Sequence, residues 1–428
     1  MATITRAICC LSATFFVVLA APGAAADLVL GPEEIVQAGG GDLVVTGYSV
    51  PSFAAWNADE LPDLIVGDGG GAAPEGKVRV YLNTGTVSFP QFGTCFYAQA
   101  GASDLVVPAA GCLGAFPRVV HWDADARKDL LVGQSDGRVK LFLNVHTDGE
   151  PRFDAGAFVQ VGPTGSEVPI DVGDRATPVV VDWNNDGKKD LVVGALDGKV
   201  RLYLNEGTDA APRFLQALFA AENGADLVVS TGRASPHVRD LDNDGMKDLL
   251  AGNTEGELLF YRNTGSDAAP SFSGHVHVAA AGFPIDLPGT PRSRPFVCEW
   301  TDDQFLDVLI GAGDGCVHLF PGVAGSGIGG EEPVPAPAIG LMAAYPNPFS
   351  TATRIPFVLS GTQPVRLAVH DVAGRRVAVL AAGVLAGGAQ QVTWTGRDEA
   401  GRPSPAGVYF VRMETDRGVG SAKLVMRR

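Results

Sequence analysis

The stretch Val238-Arg-Asp240-Leu-Asp242-Asn-Asp244-Gly245-Met-Lys-Asp248-Leu-Leu-Ala-Gly252 places four carboxylates within nine residues. Carboxylates this dense repel one another unless a cation sits among them. The D-x-D-x-D-G-x-x-D spacing curls acidic oxygens around one point, with Gly245 at the bend. Asp248 closes the shell, and the main-chain carbonyl of Met246 is placed to join it. Hard oxygen ligands on a flexible loop suit Ca²⁺.

The stretch recurs. Related segments run from Phe53 to Gly67, Val120 to Gly133, Val181 to Gly194 and Cys298 to Gly311. Their closing aspartates, Asp63, Asp129, Asp190, Asp248 and Asp307, are 66, 61, 58 and 59 residues apart. Each copy continues into an alternating strand such as Lys199 to Asn205, and then a turn. Pro-x-Phe follows in the second to fourth copies (Pro151 to Phe153, Pro212 to Phe214, Pro270 to Phe272). A hairpin ending in Asp-Leu-Val-Val completes the unit, clearest at Asp104 to Val107 and Asp226 to Val229. Four short antiparallel strands per repeat are the content of a propeller blade. The fifth unit stops at Phe320 without its hairpin, and Leu28 to Thr46 holds Gly41-Asp-Leu-Val-Val45. One expectation covers both ends: the N-terminal strands complete the last blade, leaving no open sheet edge. The chain is therefore expected to be all-β, with a five-bladed β-propeller over residues 27–321.

These repeats resemble the FG-GAP/VCBS repeats of integrin-α-type propellers, and the resemblance covers roughly residues 28–321. It implies calcium in the Asp-rich loops and adhesion or ligand binding as the role. Carried over copy by copy, the fourth loop offers Asp240, Asp242, Asp244 and Asp248, with the Met246 carbonyl. The third offers Asp182, Asn184, Asp186 and Asp190, with the Lys188 carbonyl and Gly187 at the bend. The second keeps Asp123, Asp125 and Asp129 but starts on His121 and lacks the glycine. The fifth offers Glu299, Thr301, Asp303 and Asp307, also without the glycine. The first has Ala55, Asn57, Asp59 and Asp63. Charge count ranks copies three and four as the metal sites, two and five as weaker, and one as empty. The bland alternative for every copy is an Asp/Asn turn that caps its own backbone without metal.

Three residues before the proline of each innermost strand stand Tyr48, Gly114, Arg175, Arg233 and Arg292. Three arginines at one channel mouth would form a collar for carboxylate or sulfate groups. Pairing with aspartates of the same or the next blade is the commoner fate of such arginines. Trp56, Trp122, Trp183 and Trp300 recur just after the innermost strand, with Leu241 in the fourth copy. At a repeat position they are expected to wedge between blades rather than stack on sugar. His275 and His277 alternate on a strand with no evident third ligand, so they are expected to face solvent. No nucleophile elbow, zinc motif or isolated acid pair appears, and the chain is expected not to be an enzyme.

The rest of the chain supplies address and presentation. Residues 1–26 have a basic start at Arg6, an apolar run and Ala24-Ala-Ala26, which reads as a signal peptide cleaved after Ala26. Export makes disulfides possible. Cys95 and Cys112 flank one hairpin and are placed to bridge or to stay free. Cys298 and Cys316 fall on strands separated by a third, which puts their α-carbons too far apart for a bond. The formal charge of −16 is the net of a more strongly acidic body and a net basic C-terminal part. An acidic body speaks against nucleic acid and for bound cations.

Residues 322–340 form a Gly/Pro-rich linker. Residues 341–428 read as six short strands with Gly turns, a small immunoglobulin-like sandwich. Tyr345-Pro-Asn-Pro-Phe349, Asp371 to Val377, Pro405 to Phe410 and the final Lys423 to Arg428 resemble C-terminal sorting domains of type IX secretion cargo. Trp394 to Gly401 looks more like the Ig-like domain of flagellar hook-capping proteins. Together they imply contact with secretion machinery and delivery to the bacterial outer membrane, to be secreted or held at the cell surface with no stable membrane span in the mature chain. The expected function is a calcium-binding, non-catalytic module for a glycan or surface protein. A secreted carbohydrate-active enzyme and a structural surface component are the alternatives.

Overall fold

The computed structural model describes residues 28–70, 75–111, 114–280, 283–287, 292–323, 340–341, 344, 347, 349–359, 361–372, 374–416 and 418–427. The expected signal peptide, most of the linker, Cys112 and part of the Tyr345 to Phe349 motif lie outside them. Among the described residues every regular element is a strand.

Five antiparallel sheets follow the five repeats. Blade one runs Val50–Ala55, Pro62–Gly67, Glu75–Tyr81 and Phe96–Tyr97. Blade two runs Phe116–Val120, Asp129–Gly133, Val139–Phe142 and Ala157–Phe158. Blade three is Thr177–Val181, Asp190–Gly194, Val200–Tyr203 and Leu218–Phe219. Blade four is Ser235–Arg239, Asp248–Gly252, Leu258–Tyr261 and Val276–His277. Blade five has Arg294–Cys298, Asp307–Gly311 and Val317–Phe320 from its own repeat. Its outer strand is the N-terminal Glu34–Ile35, with Glu34 opposite Leu319 and Ile35 opposite His318. The Gln37–Ala38/Gly41–Asp42 ribbon follows, as similar ribbons do in the other units.

The innermost strands touch in the cyclic order one, two, three, four, five, one. The glycine that ends each Asp-Leu-x-x-Gly strand explains the close approach. A methyl on Gly67, Gly133, Gly194 or Gly252 would overlap the carbonyl oxygen of Ala115, Ala176, Ala234 or Ser293 in the next blade. On Gly311 it would overlap Ser49 of blade one, so the same contact shuts the ring. The Ala312 amide donates to Ser49 Oγ at 2.9 Å across that junction.

The repeated tryptophans staple successive blades. Trp56 packs edge-on against Phe153 at 5.5 Å, Trp122 lies 6.4 Å from Phe214 and Trp183 6.2 Å from Phe272. Trp300 of blade five meets Phe92 of unit one at 5.6 Å. Trp56, Trp183 and Trp300 are buried and Trp122 is half-buried against the same core, so these rings pack in the interfaces. Each pair contributes about 0.5–1.5 kcal/mol beyond area burial. The fourth junction differs on both sides. Leu241 replaces the tryptophan, and Leu30, bridged to Gly322 and Ala280, stands where Phe153, Phe214 and Phe272 stand elsewhere. Leu28, Leu30 and Leu241 share one core with Ile285 and Phe320. At this seam the N-terminal segment closes the ring, and Glu33 also engages the buried His318 there, Oε1 to Nδ1 at 2.6 Å.

The C-terminal region is a sandwich. Gly340–Leu341, Thr353–Leu359 and Gly388–Trp394 form one sheet. Arg376–Leu385, Gln363–Asp371, Gly407–Thr415 and Gly418–Met426 form the other. Trp394 is the core anchor, 4.9 Å from Tyr409 and 5.5 Å from Phe349. Cys95, Cys298 and Cys316 carry free thiols. Asp307–Gly311 lies between the strands that hold or adjoin the last two, as the spacing requires.

Candidate metal centre

Each acidic loop joins the first and second strands of its blade, so all five open on the same end of the propeller. The closing aspartate does the same work in every copy. Asp248 accepts the Leu241 amide on Oδ2 at 3.0 Å and the Asn263 amide on Oδ1 at 2.8 Å. Asp63 holds Trp56 and Asn83, Asp129 holds Trp122 and Asn144, and Asp190 holds Trp183 and Asn205. Asp307 holds Trp300 and Gly322. All five are buried, and burial raises each carboxyl above its usual range against these hydrogen bonds. Asp248, with Asp242 and Asp244 adding repulsion, is pushed up to about 7. These residues were expected to close metal shells. The structure gives both oxygens of each to main-chain amides, so they pin the loop to the end of the third strand.

The remaining acids separate the copies. In blade four, ligand oxygens of Asp240, Asp242 and Asp244 all lie within 4.8 Å of one another. Asp240 Oδ1 is buried and accepts no hydrogen bond from the described residues. Asx turns shape the loop: Gly245 donates to Asp240 Oδ2, Asp244 to Asp242 Oδ1 and Met246 to Asp244 Oδ1. Arg262 places Nη1 2.6 Å from Asp242 Oδ2.

Blade three repeats the turns, with Asp182 accepting the Asp186 and Gly187 amides, and Asn184 also accepting from Asp186. Here Lys188 reaches back, its Nζ 3.4 Å from Asp186 Oδ2 and 3.1 Å from the Asn205 carbonyl. In blade two Arg127, at the equivalent position, pairs with Asp125 and donates to the Asn144 carbonyl, while Asp123 accepts the Asp125 amide. In blade five Glu299 turns away to Arg239 of blade four, and Asp303 accepts the Phe305 amide. Blade one holds Asp59 against the Leu61 amide. Loss of the bend glycine does not change the path: Ala126, Gln304 and Glu60 take its left-handed φ of 62°, 78° and 62°. They do so at a steric cost of order 1 kcal/mol.

The three collar arginines share a left-handed backbone, φ 62° at Arg175, 60° at Arg233 and 96° at Arg292. Arg175 is fully buried and donates to the Ala234 carbonyl and Ser235 Oγ of blade four, its guanidinium 5.2 Å from the Phe116 ring centre. Arg292 bonds the Tyr48 hydroxyl and lies over its ring, and Arg233 is half-buried. Arg175 is core rather than part of an open collar, bridging Phe116 of blade two and Ala234 and Ser235 of blade four. Sequence reading missed Lys188 and Arg127 as internal cations; they stand two residues after Asp186 and Asp125, and only the Lys188 carbonyl was considered. His275 and His277 are exposed, with ring centres 6.0 Å apart.

Comparison with known proteins gives two family matches. The FG-GAP-like repeat family matches residues 182–250, which is the loop of blade three through that of blade four. The FlgD Ig-like domain family matches residues 351–418 in the sandwich. No curated protein matches. Among solved structures, the chain is similar to PorZ, described as an essential bacterial surface component of the type-IX secretion system of Porphyromonas gingivalis. Identity is 14%, the TM-score is 0.31, and the alignment covers 88% of this chain and 51% of that one. The chain thus spans about half the length of PorZ. It is also similar to a glycoside hydrolase family 43 arabinoxylan arabinofuranohydrolase from Bacillus subtilis, at 9% identity and TM-score 0.36, covering 89% and 92%. At these scores the strand pairing and ring contacts, not the alignments, define the fold.

Proposed function

We propose that this chain, which carries an FG-GAP-like repeat and a FlgD Ig-like domain, is an exported, calcium-stabilised binding module for a glycan or a surface protein. The observation that carries the metal is the convergence of Asp240, Asp242 and Asp244 with a buried, unengaged Asp240 oxygen. Those three carboxylates and the Met246 carbonyl would hold Ca²⁺, which takes oxygen ligands in flexible loops. The ion would offset their mutual repulsion and fix the loop beside the ring seam. Its chemistry is structural. Asp182, Asn184 and Asp186 form the second site in rank, with Lys188 as a competitor for the same oxygens.

Binding rather than hydrolysis is supported by the axis. None of the five innermost strands carries an Asp or Glu. Glycoside hydrolysis on a propeller axis ordinarily needs two opposed carboxylates. Delivery to the cell surface through the C-terminal domain belongs to the same proposal, supported by the tail motifs. Among the described residues no helix is long and apolar enough to cross a membrane.

The test is a glycan array with the full chain, run in calcium and in chelator, with products checked by mass. Binding that is lost in chelator and leaves the glycans intact is the expected result. Shortened glycans would replace this reading with the enzyme. Silence in both buffers, together with self-assembly of the pure protein, would replace it with a structural surface component.

A further inference from the structure

Four of the five ribbons separate their strands by two residues, as in Gln37–Ala38/Gly41–Asp42, Gln99–Ala100/Ser103–Asp104 and Ala221–Glu222/Ala225–Asp226. The ribbon of the second unit, Gln160–Val161/Val168–Pro169, separates them by six, residues 162–167. Its pairing changes as well. Gln37 and Gln99 give their side-chain amides to Asp42 and Asp104 across the ribbon, at 2.6 and 2.7 Å. Gln160 faces Pro169 instead, and its exposed amide keeps only the Phe158 carbonyl, at 2.9 Å.

Blade two departs from the repeat at one more place. Val80, Leu202, Phe260 and Leu319 are paired across the sheet with Phe96, Leu218, Val276 and Glu34, and all four are buried. Leu141 is paired with the small Ala157 and is only half-buried. Trp122, packed against the same core, is also half-buried, whereas the other three staple tryptophans are buried. A cleft of about 490 Å³ opens here between blades two and three. Trp122, Leu141 and Ala157 line its apolar side, and the exposed Gln160, Glu167 and Arg213 its polar side. Arg213 Nη1 and Glu167 Oε2 brace the long turn, on Thr164 Oγ1 at 2.8 Å and the Gly165 amide at 2.7 Å. The long turn, the proline opposite Gln160 and the small Ala157 thus meet at one cleft. Its volume and its mix of apolar wall and few polar groups are those of a small-ligand site.

The lining selects the ligand. The charges of Glu167 and Arg213 cancel, so a neutral ligand fits better than an anion or a cation. The indole and Leu141 need C–H surface, and the three planar polar groups need hydroxyls. A pyranose of glucose configuration offers both, with equatorial hydroxyls around its edge and C–H bonds on its faces. We infer that the cleft between blades two and three binds a neutral oligosaccharide of glucose-type pyranoses, with a sugar face on Trp122 and a hydroxyl edge on Gln160, Glu167 and Arg213. This rests on the glycan arm of the binding-module reading and deepens it by naming the site and the sugar class. The cleft is separate from the blade-four metal loop.

The test is calorimetric titration of the full chain with cellopentaose, with trigalacturonate as the anionic control. Cellopentaose is expected to bind at one site and trigalacturonate not to bind. Trp122→Ala should weaken cellopentaose about tenfold, the effect of one lost aromatic contact. Ala157→Leu gives blade two the residue that blade three has at the paired position. It should abolish binding and leave the melting temperature unchanged or raised, so the test stays decisive if Trp122→Ala does not fold. Absence of cellopentaose binding, an equal affinity for trigalacturonate, or undiminished binding in either folded variant overturns the inference. Other glycans bound on the array while cellopentaose does not bind sink this inference alone. A silent array together with no cellopentaose binding sinks the glycan reading with it.

Discussion

Blades three and four carry nearly the same loop and differ at three places, Trp183 against Leu241, Asn184 against Asp242 and Lys188 against Met246. Blade three has Trp183 stapled to Phe272 and a lysine, Lys188, folded back onto Asp186. Blade four has Leu241 against the N-terminal Leu30, and Met246 where the lysine was. Among the described residues, three acids converge in blade four alone. The differences fall on one side of the molecule, because Leu28, Val29, Asp240 and Leu241 line one cleft at the seam where the ring is closed by a separate piece of chain. The junction without an aromatic staple is the junction beside the best metal loop. Counting acids ranks the two loops close together, and each carries a cation, Lys188 on Asp186 and Arg262 on Asp242; the convergence of three carboxylates is what separates them.

The largest effect should be common to both blades and so should fail to distinguish them. Asp190→Ala and Asp248→Ala each strand two main-chain amides, at about 1–3 kcal/mol per unsatisfied donor, so about 2–6 kcal/mol each. Urea unfolding in chelator is expected to give the two variants similar losses. If Asp248→Ala loses much more in calcium than in chelator while Asp190→Ala does not, the closing aspartate also binds metal, and the division between pins and ligands breaks.

The second test sets the seam against the continuous blades. His318, 5% exposed, lies between Glu33 of the N-terminal segment and Asp314, whose Oδ1 is 3.3 Å from Nε2. Burial opposes its charge, but bonds to Asp314 and Glu33 raise it from 6.5 to about 9. A raised histidine stabilises fully below the unfolded value, and the contribution fades as pH rises through the folded one. Stability should therefore fall by about 3 kcal/mol between pH 6.5 and pH 9 or just above it, and His318→Gln should flatten that slope. An unchanged slope in the variant would remove the ion cluster as the clasp of the seam.

Much of this was legible because repetition multiplies weak signals. Four copies of Asp-Leu-x-x-Gly and a fifth with Val308 in place of the leucine set the strand order, and a missing hairpin at one end with a spare one at the other disclosed the closure. Leu241 in the tryptophan position set the fourth copy apart, and only the coordinates show that Leu30 answers it across the seam. Function was less legible, because it depends on departures from the repeat. A carboxylate that recurs in every copy looks like a ligand in sequence, and the coordinates add that Asp63, Asp129, Asp190, Asp248 and Asp307 each also accept two main-chain amides. The repeated arginine position drew attention, and there Arg175 is core.

Third in size is the metal itself. A ligand that binds only the folded state adds about 2.7 kcal/mol at a hundredfold excess over its dissociation constant. Chelator is expected to remove roughly that amount from the wild type and from Asp182→Asn, and nothing further from Asp240→Asn, as read from thermal melts. Equal sensitivity of the two variants would place the stabilising ion outside blade four.

The smallest effect decides why the blades differ. Lys188→Met gives blade three the residue of blade four. It should cost only about 1 kcal/mol, the net value of one hydrogen bond such as that to the Asn205 carbonyl. Equilibrium dialysis should then show bound calcium rising from one ion per chain to two, because the tethered ammonium no longer competes for Asp186. If the count stays at one, the lysine is not the barrier, and the neutral Asn184 in place of Asp242 becomes the cause. Lys188→Met with Asn184→Asp then separates the cases: a second ion in the double variant alone assigns the difference to charge, and its absence there as well would take the acid loop of blade three out of metal binding altogether.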